Sequence, residues 1–240
     1  MDFWHRIRHE LRACCDLLLP PACLLCDARL PVGHPAAEFC PTCAAGIPAR
    51  PTACCRVCAE PLSAPGPDLC AACRQQPPPF ARVHTVAPYA GTLQDAVQRF
   101  KYRSQLVLER PLGTLLATAV AHGGARPDLI VPVPLHRDRL RERSYNQALQ
   151  LARQVGRRLA VPVAPAVLCR TRATTPQQGL DAVARRGNLR GAFAVTGAVS
   201  SRRILLIDDV MTTGTTVREC AEVLRRAGAA SVEVAVLGRA

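Results

Sequence analysis

Two adjacent carboxylates followed by a turn rich in threonine and glycine carry the clearest chemical signal in this sequence. Asp208 and Asp209 come directly after four apolar residues, Ile204 to Ile207, and shortly before the segment Thr212–Thr216. The apolar run predicts a strand that is buried on both faces of a parallel sheet. The acids therefore lie at its carboxyl end, where open α/β sheets bind their ligands.

The turn after the acids has the composition of an anion site. Gly214 lets the backbone approach an anion closely, and the hydroxyls of four threonines can donate to it. A helix follows, and its free N–H groups and positive dipole end also favour an anion. The carboxylates accept hydrogen bonds from vicinal hydroxyls and help to hold a divalent cation. The sequence therefore predicts a site for a phosphorylated ribose, with candidate ligand contacts from Asp208, Asp209, Thr212, Thr213, Gly214, Thr215 and Thr216.

A second predicted strand, Asp128 to His136, ends in a proline-rich loop. The loop contains Pro132, Val133, Pro134 and His136, and four arginines up to Arg143 follow before a predicted helix over Ala148 to Leu159. Prolines stiffen the strand exit, and cations beside free amides suit a pyrophosphate. The alternative is an exposed basic helix start. Asn146 and Gln147 are further substrate-binding candidates, although Asn146 could simply cap the helix.

Eight of the thirteen cysteines form four C-x-x-C pairs with zinc-ribbon spacing. Two such pairs complete a closed tetrahedral site, so we expect one or two structural zinc ions, while the pairing stays open. The segment has too little apolar material to fold without metal. Redox-active thiols are the alternative. The candidate ligands are Cys23, Cys26, Cys40, Cys43, Cys55, Cys58, Cys70 and Cys73.

The chain of 240 residues is 49% hydrophobic, which suffices for a packed core and a smaller module. Alternating strands and helices predict an α/β fold with a mainly parallel sheet. Residues 3–19 predict an amphipathic helix, and Gln75 to Pro79 a stiff spacer, so we place the module at 1–79 and the α/β domain at 80–240. We find no transmembrane segment or secretory signal, and we expect a cytoplasmic protein.

These motifs together resemble a known family. The run from Asp208 to Thr216 is similar to the phosphoribosyl pyrophosphate (PRPP) motif of type I phosphoribosyltransferases. The segments Pro132–His136 and Arg143–Gln147, with Thr175, Pro176 and Gln177 after them, stand in the order found in the ComF family of bacterial competence proteins, which also carry an N-terminal zinc module. One departure is Ser144, where the family usually has glycine.

The resemblance implies a type I phosphoribosyltransferase fold, PRPP with Mg²⁺ as ligand, and a role in DNA uptake and processing during natural transformation. Asp208 and Asp209 would hold the ribose hydroxyls and metal, Thr212–Thr216 the 5′-phosphate, and the loop from Pro132 to Arg143 the pyrophosphate. Residues 170–190 resemble a mobile loop that closes over the site, although a structural surface loop fits as well. The acceptor is not readable.

The net charge of +13 supports a hypothesis of another class. A non-catalytic competence factor could bind single-stranded DNA, with aromatic residues between cations, as in the run from Arg99 to Arg103. The scarcity of lysine is also typical of compositional bias, which would carry no function. The cysteine module could equally dock a competence helicase or a recombination protein.

Overall fold

The computed structural model describes residues 20–31, 39–62, 68–102, 105–136, 139–141, 144–172 and 191–240. Its centre is a parallel sheet in the order β1-β7-β5-β2, with the short strand β6 paired to β7. A separate antiparallel pair, β3 and β4, stands beside it. The strands are β1 Val83–Pro88, β2 Leu129–Pro132, β3 Leu168–Arg170, β4 Phe193–Val195, β5 Arg203–Ile207, β6 Val210–Met211 and β7 Ser231–Arg239.

Six α-helices lie in the described part of the chain. They are α1 Pro41–Ala45, α2 Ala71–Gln75, α3 Gly91–Tyr102, α4 Glu109–His122, α5 Gln147–Leu159 and α6 Thr215–Arg226. A 3₁₀ turn, Leu106–Leu108, leads directly into α4. Pro111 then falls in the first turn of α4, where its missing N–H costs no hydrogen bond. None of the described helices has the length and apolarity to span a membrane.

Alternating side chains of the central strands feed two hydrophobic cores, one on each face of the sheet. On β5, Ile204 and Leu206 pack in the core beneath α6, while Leu205 and Ile207 pack with α3, α4 and α5. All four are at most 1% exposed. The sequence prediction of a strand buried on both faces, within a parallel α/β fold, is therefore confirmed.

The cysteine-rich segment contains two copies of one knuckle, and each copy joins a different core. Cys23 belongs to the core of α3–α5, whereas Cys55 belongs to the core of α6. In both knuckles the N–H of the first cysteine donates to a carbonyl five residues later, Ala28 or Glu60, at 2.8 Å. The two cysteine knuckles therefore pack against opposite faces of the sheet.

Equivalent positions of the two knuckles dock on the α/β part. The carbonyl of Leu25 accepts a hydrogen bond from Nη1 of Arg99 at 2.8 Å, and the carbonyl of Val57 accepts one from the N–H of Val83 at 2.8 Å. The second bond covers part of the outer edge of β1, which would otherwise be an unpaired sheet edge. The predicted helix over residues 3–19 lies outside the described residues, and the domain limit near residue 79 stays a prediction.

Candidate functional site

Asp208 and Asp209 lie at the carboxyl end of β5, as the sequence predicted. The N–H of Asp208 donates to the carbonyl of Ala235 at 3.1 Å, and the carbonyl of Asp209 accepts from Leu237 at 2.9 Å, so β7 fixes both backbones. Asp209 turns inward and is 9% exposed as a residue, whereas Asp208 is only half-buried. The two acids therefore occupy different environments.

The inward carboxylate is paired with the only lysine of the chain. Nζ of Lys101, in the last turn of α3, lies 2.9 Å from Oδ1 of Asp209, and both side chains are at most 15% exposed. Burial lowers the pKa of Lys101, but attraction to Asp209 and Asp208 outweighs it and raises the pKa above its usual value. The ammonium is thus charged at neutral pH and offsets one of the two negative charges.

Sequence reasoning missed this pair. It grouped Lys101 with Arg99 and Arg103 as a basic run for DNA, whereas the structure uses Lys101 at the carboxylates and Arg99 against Asp95 and the first knuckle. The available signal was compositional, since one lysine stands among 31 lysines and arginines. A lysine kept in a chain that otherwise uses arginine indicates that this position requires lysine. The compact ammonium of lysine fits beside a buried carboxylate.

The threonine-rich turn forms the predicted entrance to a helix. Gly214 has φ 75° and is the N-cap of α6, and a Cβ built there would lie 2.6 Å from Cε of Met211. The turn thus requires glycine both for its backbone conformation and for space. The hydroxyls of Thr213 and Thr215 are 2.9 Å apart, while Thr212 and Thr213 are exposed and Thr216 is half-buried. The exposed threonines thus lie immediately before the first residues of helix α6.

The proline loop lies beside the acids because β2 is the neighbour of β5. Pro132 pairs with Ile207, and the N–H of Val133 donates to the carbonyl of Ile207 at 2.8 Å. Pro134 and His136 continue the loop and are half-buried. The structure therefore brings the proline loop and the carboxylates to one edge of the sheet; Arg143 lies outside the described residues.

Asn146 performs the capping role that the sequence left open. Its Oδ1 accepts from the N–H of Leu149 at 3.3 Å, and its Nδ2 donates to the carbonyl of Val133 at 3.0 Å. It therefore ties the start of α5 to the proline loop. Gln147 is 1% exposed, and its role as a substrate contact stays a prediction.

The loop before α5 contains a left-handed residue where the family usually has glycine. Ser144 has φ 62°, a region in which a side chain costs energy. The next residue, Tyr145, donates its hydroxyl to the carbonyl of Phe100, and the two rings are 5.7 Å apart. This contact links the loop to α3 immediately before Lys101.

The antiparallel pair β3 and β4 forms a stem whose end lies near the carboxylates. Burial lowers the pKa of Arg170, at the end of β3, and Arg139 lowers it further while Asp208 acts in the opposite direction. The guanidinium also stacks over Phe193, 5.6 Å from the ring centre. Positive charge thus lies close to the half-buried acid. Most of the loop predicted to close over the site, residues 173–190, lies outside the described residues.

The eight paired cysteines form two four-thiol clusters. Cys23, Cys26, Cys40 and Cys43 compose one, and Cys55, Cys58, Cys70 and Cys73 the other, with all sulfurs of a cluster within 4.8 Å of one another. The Sγ atoms of Cys26 and Cys40 are 3.6 Å apart, as are those of Cys58 and Cys70. Tetrahedral zinc with bonds of about 2.3 Å places its sulfurs about 3.8 Å apart, so both clusters fit structural zinc.

Backbone donors favour the thiolate form of one cysteine in each cluster. Burial raises the pKa of Cys23 and Cys55, but N–H groups of their own knuckles and of Cys40 and Cys70 outweigh it and lower the pKa values to about 6 and about 7. The thiolate is the form that binds zinc. The geometry also gives the pairing that the spacing left open. The first two C-x-x-C pairs form one cluster, and the last two form the other.

The fold and both kinds of site define a class of protein. Residues 145–239 match the phosphoribosyl transferase domain family, and residues 14–74 match the double zinc ribbon domain family. The chain is thus a protein of phosphoribosyltransferase fold with an N-terminal double zinc ribbon. A looser likeness in fold relates it to the glutamine PRPP amidotransferase of Bacillus subtilis, with 19% identity, a TM-score of 0.42, and coverage of 58% of this chain and 30% of that one.

Curated relatives narrow the class to a family. The DNA utilization protein YhgH of Escherichia coli K12 is 36% identical over 230 residues, which cover 93% of this chain and 99% of that protein. Competence protein F of Haemophilus influenzae is 36% identical over 179 residues, covering 71% and 78% respectively. The chain belongs to the ComF family of competence proteins, as its motifs predicted.

Proposed function

We propose that this protein binds PRPP with Mg²⁺ at Asp208–Thr216 and transfers the phosphoribosyl group to an acceptor. One observation carries the proposal: β5 ends in two carboxylates, and both the Gly214 turn and the Pro132 loop lie at the same sheet edge. That edge offers groups for each part of PRPP. The chemistry of the acceptor lies beyond these residues.

The three parts of the ligand would meet three different elements. The turn Thr212–Thr216 would hold the 5′-phosphate with hydroxyls and helix N–H groups. Asp208 and Asp209 would accept hydrogen bonds from the ribose hydroxyls, and the loop from Pro132 to Arg143 would hold the pyrophosphate. Two unpaired carboxylates would repel an anionic ligand. Lys101 reduces this repulsion because its ammonium pairs with Asp209.

No protein nucleophile is needed for such a transfer. Displacement at ribose C1 passes through an oxocarbenium-like state while pyrophosphate leaves, so the protein chiefly positions the ribose and stabilises the leaving group. The carboxylate oxygens of Asp208 and Asp209 suit Mg²⁺, directly or through water. The ion would offset the charge of the pyrophosphate. Arg170 interacts electrostatically with Asp208 and would add positive charge on the same side.

The biological setting of the proposal comes from the relatives. Two curated relatives carry the names DNA utilization protein and competence protein F. We therefore assign this chain to DNA uptake or processing during natural transformation, in the cytoplasm.

A second candidate is a non-catalytic factor that binds single-stranded DNA or a helicase or recombination partner. The charge of +13 favours a polyanion. Against it, Lys101 and Arg99 of the candidate basic run already contact Asp209, Asp95 and the first knuckle, and Tyr102, 65% exposed, is the exposed residue of this run in the described part of the chain. The phosphoribosyl site is therefore the better supported of the two.

Glycine substitutions test the phosphate turn. Gly214→Ala places a Cβ at φ 75° and against Met211, whereas Gly124→Ala meets the same backbone cost at φ 72° with no atom within 4 Å. We expect Gly214→Ala to weaken binding of ribose 5-phosphate and PRPP at least about tenfold in calorimetric titration, because a turn that has to relax loses its aligned donors. Gly124→Ala should bind like the parent. Equal affinities in all three proteins would exclude this turn as the phosphate site.

A further inference from the structure

Arg239 connects the candidate phosphate turn to the cysteine-rich module. It ends β7, and its side chain is 13% exposed. Its Nη1 donates to the carbonyl of Met211 at 3.3 Å and to the carbonyl of Thr212, while its Nη2 contacts the carboxylate of Glu60. One guanidinium therefore holds both the backbone that enters the turn and an acidic side chain of the second knuckle.

The backbone of Glu60 contacts the second four-thiol cluster. Its carbonyl accepts from the N–H of Cys55 at 2.8 Å, and Cys58 lies two residues before it in the same knuckle. Both cysteines belong to the second four-thiol cluster. The backbone of Glu60 is thus hydrogen-bonded to a cysteine of that cluster.

The first knuckle shows that a carboxylate is not required for the knuckle itself. Ala28 occupies the position equivalent to Glu60, and its carbonyl closes the same 2.8 Å hydrogen bond with Cys23. The preceding residues, Asp27 and Ala59, share the left-handed conformation at φ 58° and 59°. The two knuckles therefore have the same backbone with different side chains at this position, and the acid in the second knuckle serves the contact with Arg239.

We propose that Glu60 and Arg239 are positioning residues through which the second zinc knuckle holds the phosphate-binding turn. Zinc at that cluster and a phosphate at the turn then favour each other, because the same residues organise both, and the coupling is reciprocal. This inference rests on the proposed phosphoribosyl site. It assigns the zinc module a part in ligand binding in addition to its part in folding.

The test replaces Glu60 by the residue that the first knuckle carries. We expect Glu60→Ala, in the full-length protein, to bind ribose 5-phosphate about fivefold more weakly, a change at the low end for coupled sites, with two zinc ions per chain retained. Inorganic pyrophosphate, expected at the proline loop, should bind unchanged. Glu222→Ala is the matched control, since Glu222 has the same 43% side-chain exposure and pairs with Arg226 on α6 itself. If Glu60 only stabilised the fold, Glu60→Ala would lower the thermal stability and change the affinities for ribose 5-phosphate and pyrophosphate by the same factor.

Reciprocity gives a second readout, the rate at which a chelator removes zinc. Ribose 5-phosphate should slow the release of one of the two zinc ions in the parent and in Glu222→Ala, but not in Glu60→Ala. Unchanged ribose 5-phosphate affinity in Glu60→Ala, with zinc release still slowed, would overturn the inference.

A parent protein that binds neither ribose 5-phosphate nor PRPP would refute the proposed function and with it the coupling to phosphate, while the positioning of the turn by Glu60 and Arg239 can be tested by itself. In that event amide hydrogen exchange across residues 210–218 decides. Faster exchange in Glu60→Ala than in Glu222→Ala supports positioning of the turn by the knuckle, and equal rates contradict it.

Discussion

At the scale of single residues, the pair of Lys101 and Asp209 distinguishes this site from two solvated acids at a strand end. Both side chains are largely withdrawn from solvent, and Oδ1 of Asp209 also accepts from the N–H of Val210 at 2.6 Å. A buried carboxylate is costly without a cation, so removing either partner leaves a desolvated charge. The pair therefore sets both the electrostatics of the site and part of its stability.

A double-mutant cycle measures this coupling. We expect Lys101→Met to lower the free energy of unfolding by about 2–3 kcal/mol, and Asp209→Asn in the same protein to restore much of the loss, because the isolated buried charge disappears. Urea unfolding provides the values. The exposed pair of Arg226 and Glu222 is the control, and its rupture should cost under about 0.5 kcal/mol. A Lys101→Met cost as small as that of Arg226→Met would contradict the account.

At the scale of elements, the segment that joins the proline loop to α5 combines anchoring with strain. Asn146 and Tyr145 tie it to the proline loop and to α3, whereas Ser144 holds a left-handed conformation that glycine adopts more easily. Ser144 thus keeps a backbone conformation that costs energy for a residue with a side chain.

Ser144→Gly should therefore stabilise the protein. We expect a gain of about 0.5–1 kcal/mol in thermal or urea unfolding, since relief of the left-handed strain exceeds the added freedom of the unfolded chain. Ala160→Gly, at φ 53° after α5, should give a similar gain far from the loop. If Ser144→Gly alone also tightens pyrophosphate binding, the loop contacts that group. A loss of stability in Ser144→Gly would mean that its hydroxyl, rather than its backbone, decides the loop.

At the scale of the whole molecule, the zinc module is built into the α/β part. Each cysteine cluster contributes buried residues to one of the two cores, and the knuckle carbonyls of Leu25 and Val57 dock on α3 and β1. A chain cut at residue 80 would expose these apolar surfaces. We therefore expect the cysteine module and the α/β part to unfold together.

Local patterns explain which parts of this architecture were predictable. The run Ile204–Ile207, the acids after it and the paired cysteines each carry their signal within a few residues, and the structure has the predicted strand and clusters. The contacts of Lys101 with Asp209 and of Glu60 with Arg239 join residues far apart in the chain, so no local pattern reveals them. Strand β7, which lies between β1 and β5, was likewise not assigned.

The most direct test of the central claim is calorimetric titration of the zinc-loaded, full-length protein with PRPP and Mg²⁺, beside the double variant Asp208→Ala, Asp209→Ala. We predict saturable binding by the parent and its loss in the double variant, with two zinc ions retained in both, because the acids lie at a strand end rather than among the cysteines. Equal PRPP affinity in the two proteins, or no binding by the parent, would contradict the assignment of a phosphoribosyl site to this edge of the sheet.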